Sequence, residues 1–275
     1  MTPSCRKDSR VVYFHPDLDD RYVVYEFPLT ERFRLFLRLH ALFQRFSHHL
    51  ENPSPFASQV ALETLFDIAL LLKGNDLRQE LLEEIARLKR ALRAFFKPLE
   101  GEGESYEALK STYEKTAQLE QTLLKLRRIS LPELEEGWLA EFNYRRHLPA
   151  ATLSFDLPAF YRWLMLSPER RQHDLRCWLA PARPIAEALD HVLSLLRESQ
   201  EPRRRLARRG LFQEPLAAVR DRCRLVRILV DPKFDGFLEI LANRSRLMGR
   251  FLRARGGEVV QVEENIPFWL TLCGL

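Results

Sequence analysis

The spacing of apolar residues changes near residue 201 of this 275-residue chain, and no other feature constrains the fold as strongly. Before that point apolar residues recur at three- and four-residue spacing, the period of a buried helix face. After it they alternate, the period of a strand. A long helical region followed by strands, without regular β-α alternation, predicts the α+β class. The expectation is an N-terminal, mainly α-helical part packed on a smaller antiparallel β part formed largely by the C-terminal third.

Particular residues set the expected elements. Tyr22–Phe27 is β-branched and aromatic and predicts a strand ended by Pro28. From Glu31 to Leu50, Phe33, Phe36, Leu37, Phe43 and Phe46 fall at helical spacing, with Leu35, Leu39 and Leu42 largely on another side. A helix apolar on two sides is buried on two sides, either as a central helix of one chain or by sharing a face with a second subunit. Helices follow over Pro55–Lys73, from about Asp76 to Phe96, over Tyr106–Arg128, Pro132–Asn143 and Pro158–Leu166, and from Ser167-Pro168 to about Ser199. Gly74 and Asp76 supply a C-terminal glycine and an N-cap in succession. The stretch Pro149–Phe155 lacks a helical period and is expected to run extended. Strands are expected over Arg224–Val230, Leu238–Leu241, Arg244–Phe251 and Ile266–Cys273. The domain reading is an extension at 1–21, a helical domain of 30–143 and 157–200, and a strand domain of 22–28, 144–156 and 201–275.

The formal net charge of +5 conceals a division. Segment 201–256 holds 15 basic and 6 acidic residues, a net +9, while the remainder is −4. Arg244, Arg246 and Arg250 lie at even spacing and share one face of a strand, the outer two about 20 Å apart at ~3.3 Å per residue. Arginine's planar fork suits bidentate capture of carboxylate or phosphate, so the face reads as an anion site or as a solvated surface. Nucleic-acid binding through this basic region is the alternative function, although no C₂H₂ finger or RNP motif accompanies it.

Motifs for chemistry are missing. Neither G-x-G-x-x-G nor G-x-x-x-x-G-K-[ST] occurs. The cysteines, Cys5, Cys177, Cys223 and Cys273, form no C-x-x-C and read as reduced and structural in a cytoplasmic protein. His48 and His49 would point about 100° apart on a helix and make poor chelators. Asp17, Asp19 and Asp20 read as a solvated turn, and Glu133, Glu135 and Glu136 as an acidic helix start. Ser154 and Asp156 lack a nucleophile-elbow motif. The N-terminus shows no secretory signal, and the apolar stretch Thr64–Leu72 is too short to span a bilayer. No enzyme, no cofactor and no membrane partner is expected.

Several segments, in order, resemble one family. They are Tyr25-Glu26-Phe27-Pro28-Leu29-Thr30-Glu31-Arg32, Gly74-Asn75-Asp76-Leu77-Arg78-Gln79-Glu80-Leu81-Leu82, and Ser154-Phe155-Asp156-Leu157-Pro158 with Trp163-Leu164. Gly210-Leu211-Phe212-Gln213, Ile240–Arg246 with Arg250-Phe251, and Ile266-Pro267-Phe268 with Cys273 complete the set. Together they resemble the ZapD family, Z-ring-associated cell-division proteins of bacteria. Ala150-Ala151-Thr152-Leu153 stands where the family has a Gly-Gly-Cys-Cys-like run.

The resemblance implies a cytoplasmic homodimer, dimerising through its helical part and acting at the mid-cell division site. It implies binding to the C-terminal tail of FtsZ, the tubulin-like division GTPase, and cross-linking of FtsZ filaments, with no nucleic acid. The family's binding positions are basic groups lining a pocket. Arg246 and Arg250 match its strand arginines, Arg244 its lysine, Lys73 a basic helix-end position and Arg78 the arginine of the same helix-start motif.

Overall fold

The computed structural model describes residues 21–74, 76–96, 103–126, 129–218, 221–243 and 245–274. Arg244, Asp17, Asp19, Asp20 and most of the 1–21 extension lie outside them. The class is α+β. By internal contacts the chain divides into two compact units, and the divisions within helices fall after Arg34, after Ser105 and after Val192.

The helical unit contains most of α1 (Glu31–Glu51), then α2 (Pro55–Lys73), α3 (Leu77–Phe96) and α4 (Glu104–Lys125). A 3₁₀ turn at Pro132–Glu135 leads into α5 (Gly137–Arg145), followed by α6 (Pro158–Leu164), α7 (Pro168–Leu179) and α8 (Arg183–Arg197). Start signals in the sequence act as expected. Pro55, Pro158 and Pro168 each occupy a first turn, where their missing N–H costs no helical bond. The Ser167 hydroxyl accepts from the Arg170 amide at 3.3 Å and caps α7.

Buried faces follow the helical period. On α3, Leu77, Leu81, Ile85, Leu88 and Leu92 are buried in one stripe, while Phe95, near the end of the helix, is exposed. On α1, Phe33, Phe36, Leu39, Phe43 and Phe46 are buried, and Leu35 and Leu42 are half-buried. Helix α2 is, by length and composition, apolar enough to cross a membrane, which the shorter count over Thr64–Leu72 missed. Half of its apolar window is buried, through residues that include Ala61, Leu65 and Ile68, while Phe56 and Leu70 are exposed. Its Asp67 pairs with Arg146 at 2.9 Å. Aromatic rings from α5, α6 and α7 form a cluster in which Phe142 and Phe160 lie 4.5 Å apart and Trp138 and Trp163 5.7 Å apart.

The stretch expected to run extended does not. Residues 147–156 coil through successive turns, with the amides of Asp156 and Leu157 both donating to the Leu153 carbonyl at 3.0 and 2.8 Å. No strand includes them, and they group with the helical unit. Lack of a helical period does not distinguish extended chain from turns, since neither has a buried face to impose one.

The strand unit is a sandwich of two antiparallel sheets. Sheet A has the order β1-β4-β8-β2, from Val23–Pro28, Cys223–Val230, Ile266–Gly274 and Arg203–Ala207. Sheet B has the order β3-β6-β5, from Leu211–Pro215, Arg246–Arg255 and Phe237–Ala242, with β7 (Glu258–Gln261) paired to β6. Side chains alternate inward. Val226, Ile228, Phe268 and Leu270 of sheet A meet Phe212, Leu238, Leu247 and Phe251 of sheet B in one core. The Phe212 and Phe268 rings are 4.5 Å apart. Gly249 is required here, because a Cβ on it would fall inside the Phe212 ring.

Sequence patterning located β1, β4, β5 and β8 to within a residue or two, and placed β6 slightly early. It missed β2, β3 and β7, each five residues or fewer.

Candidate binding surfaces

Strand β6 lies in the middle of sheet B, and its burial alternates residue by residue from Arg246 to Phe251. Leu247, Gly249 and Phe251 face the core; Arg246, Met248 and Arg250 face out. The two arginines of the even-spaced set that are described therefore share one exposed face, as their spacing requires.

Register supplies their neighbours. Met248 is opposite Gln213 on β3 and Leu241 on β5; Arg250 is opposite Leu211 and Glu239. Among these, Leu211, Leu241 and Met248 remain 44%, 50% and 37% exposed, as does Phe237 at 38%. The outer face of sheet B is thus mixed: two guanidiniums among uncovered apolar side chains. Sequence spacing identified the arginines but missed the apolar companions, which become visible only once the strand register is known.

The two arginines are in different states. Arg250 donates from Nε to Glu239 Oε2 at 2.9 Å, so an incoming carboxylate competes with Glu239. The side chain of Arg246 has no ion-pair partner among the described residues. Its amide is held by the Asn243 side chain at 2.9 Å, which shapes the turn leading into β6. Arg253, at an odd position, is turned away. It donates to the Asp235 carbonyl at 2.8 Å, stacks on Phe234 and pairs with Glu264.

Lys73 and Arg78 belong to the helical unit, where both line a cavity of about 1000 Å3. Its apolar wall includes Phe66, Leu131 and Leu134. Lys73, the last residue of α2, pairs with Glu135 at 3.3 Å, both side chains being exposed. Arg78 is engaged differently. Its Nε and Nη2 donate to the carbonyls of Leu123 and Leu124 at 2.8 and 3.2 Å, closing the C-terminal end of α4. Those two bonds commit part of its fork to the fold. The motif resemblance that marked Arg78 as a candidate contains no trace of this role, because its acceptors lie some 45 residues away.

Among the described residues, the clearest shifts of cysteine and histidine come from burial. Burial pushes the Cys223 thiol up to about 11 and the Cys273 thiol higher still, so neither is a nucleophile near neutral pH. Burial lowers His191 to about 4, with the Lys115 charge adding to the effect and Asp190 opposing it. Among the described residues, no group of three His, Cys, Asp or Glu side chains is placed to hold a metal ion. What the surfaces present is cationic side chains beside exposed or cavity-lining apolar ones.

Compared with known protein families, residues 37–250 match the model of ZapD, described as a cell division protein.

Proposed function

The chain belongs to the ZapD family of cell division proteins, and from that membership we propose that it binds the C-terminal tail of FtsZ and, as a homodimer, cross-links FtsZ filaments in the cytoplasm at the division site. The observation that carries this reading is the outer face of sheet B. Arg246 and Arg250 stand there among exposed Leu211, Leu241 and Met248. A disordered tail with acidic and apolar residues has a counterpart for both kinds of group on this face. Carboxylates pair with guanidiniums, and apolar side chains cover the uncovered apolar area.

Magnitudes favour a weak single site. A charge-assisted hydrogen bond contributes about 1.5–3 kcal/mol when sheltered and less when exposed. Both arginines are exposed, and ordering a disordered tail opposes the gain. Two sites on a dimer, facing filaments that present many tails, convert weak contacts into a cross-link by raising effective concentration. Lys73 offers a second cation for the same chemistry on the helical unit; Arg78 is mainly a helix-end clamp. Fluorescence anisotropy with a labelled FtsZ C-terminal peptide tests the proposal. Saturable binding at micromolar protein is expected, and its absence at high micromolar protein contradicts it.

A further inference from the structure

The arginine run that opens the strand region places charge where a sandwich ordinarily buries apolar side chains. Strand β2 pairs with β8 in the register Arg203↔Leu270 and Arg205↔Phe268. Phe268 and Leu270 are in the core between the sheets, so Arg203 and Arg205 lie on the inner face of sheet A as well. The run is therefore a strand and not a linker.

Arg209 and Gly210 both take positive φ, and the turn they form sends β2 into sheet A and β3 into sheet B. Arg205 and Glu214 stand equally far from that turn and meet across the gap. Arg205 donates from Nε and Nη2 to the two Glu214 carboxylate oxygens at 3.2 and 3.1 Å. This bidentate pair raises the Arg205 pKa through its hydrogen bonds.

A cavity of about 230 Å3 opens beside the pair. Arg203 and Arg222 line it too, and Leu270 and Leu272 add apolar wall. Neither Arg203 nor Arg222 has an ion-pair partner among the described residues. Glu201 is exposed on the same cavity, so three guanidiniums meet two carboxylates, and Glu214 is already engaged by Arg205. Inward-pointing charge on an edge strand can serve to prevent pairing with other chains. That role accounts for Arg203 and Arg205; it gives no reason for a cavity with Arg222 converging on it from the start of β4.

We propose that this mouth of the sandwich is a second anion site, and that it takes a carboxylate of an extended acidic peptide with aliphatic neighbours. Glu214 demonstrates the mode, since a carboxylate already sits there in a bidentate pair. A further carboxylate entering the cavity meets Arg203 and Arg222, while an adjacent aliphatic side chain covers Leu270 and Leu272. The cavity is smaller than the roughly 300 Å3 at which small-molecule pockets begin, which suits one side chain and not a nucleotide.

The site is separate from Arg246 and Arg250, so its test removes them. The full chain carrying Arg246→Ala and Arg250→Ala is titrated, by fluorescence anisotropy, against a labelled peptide amide of alternating Asp and Leu and against its Asn counterpart. The Asp peptide is expected to bind saturably and the Asn peptide not to bind. Adding Arg203→Ala and Arg222→Ala is expected to raise Kd about tenfold. Arg205 is retained so that its pair with Glu214 persists, and the lysine pair Arg203→Lys and Arg222→Lys, which keeps the charge, is expected to fall between. Absence of saturable binding before the last two substitutions, or an unchanged Kd after them, overturns the assignment.

Discussion

The carboxylate of Glu26, on strand β1, is held bidentately by Arg197 at the end of α8, with Nε and Nη2 both 2.8 Å from its oxygens. Arg227, opposite Glu26 in the register of β1 and β4, donates to the same carboxylate at 2.9 Å. One anion thus ties a helix end and two strands of sheet A. Burial alone would raise the Glu26 pKa, but the hydrogen bonds and charges of Arg197 and then Arg227 outweigh it and hold the group below its ordinary value of 4.5. A depressed carboxyl contributes stability above its unfolded pKa and loses it as pH falls through the folded one. Glu26→Gln is expected to cost about 3 kcal/mol at pH 7, because two guanidiniums lose their counter-ion. The difference between wild type and variant is expected to shrink below about pH 4.5. Urea unfolding at pH 7 and pH 3.5 measures both.

His191 predicts a second pH dependence. The Thr116 hydroxyl donates to the Thr112 carbonyl at 2.6 Å, so it accepts from His191 Nε2 at 2.8 Å, which fixes the proton of the neutral ring on Nε2. A histidine at about 4 in the fold and 6.5 outside it stabilises fully above pH 6.5 and progressively less as pH falls toward 4. The loss reaches at most roughly 3 kcal/mol. An NMR titration of the ring is expected to show it neutral at pH 5.5; a midpoint near 6.5 contradicts the burial argument.

Ala150 has φ of 56°, in the left-handed region that costs a residue with a Cβ about 1 kcal/mol. It also stands where the family pattern has glycine. Ala150→Gly is expected to stabilise the chain by about 0.5–1 kcal/mol, visible as a raised urea midpoint.

Arg78→Met separates clamp from ligand contact. Loss of two hydrogen bonds to the end of α4 is expected to cost about 1–2 kcal/mol in stability. Affinity for the FtsZ tail peptide is expected to stay within about twofold, a factor equal to roughly 0.4 kcal/mol.

What the sequence revealed, and what it hid, follows from range. Helices α3 and α7 were legible because stripe and cap lie within one segment, from Leu77 to Leu92 and at Ser167. Even spacing placed Arg246 and Arg250 on one face because alternation is local to a strand. The engagement of Arg78 with Leu123 and of Arg250 with Glu239 was hidden, because each partner belongs to another element. The short strands β2 and β3 were hidden for a related reason: five residues, three of them arginine in β2 and the last a proline in β3, give too little alternation to register. The inward direction of Arg203 and Arg205 is set by pairing with β8, some 60 residues later.

Pelleting of FtsZ filaments by the variant Arg246→Glu and Arg250→Glu, with its oligomeric state measured in parallel, bears most directly on the proposed cross-linking. Loss of bundling and at least a tenfold fall in tail-peptide affinity, the residual binding being that of the Arg203 and Arg222 site, in a variant that remains folded and dimeric is the expected result. Undiminished bundling by that variant would contradict the assignment of tail binding to the outer face of sheet B.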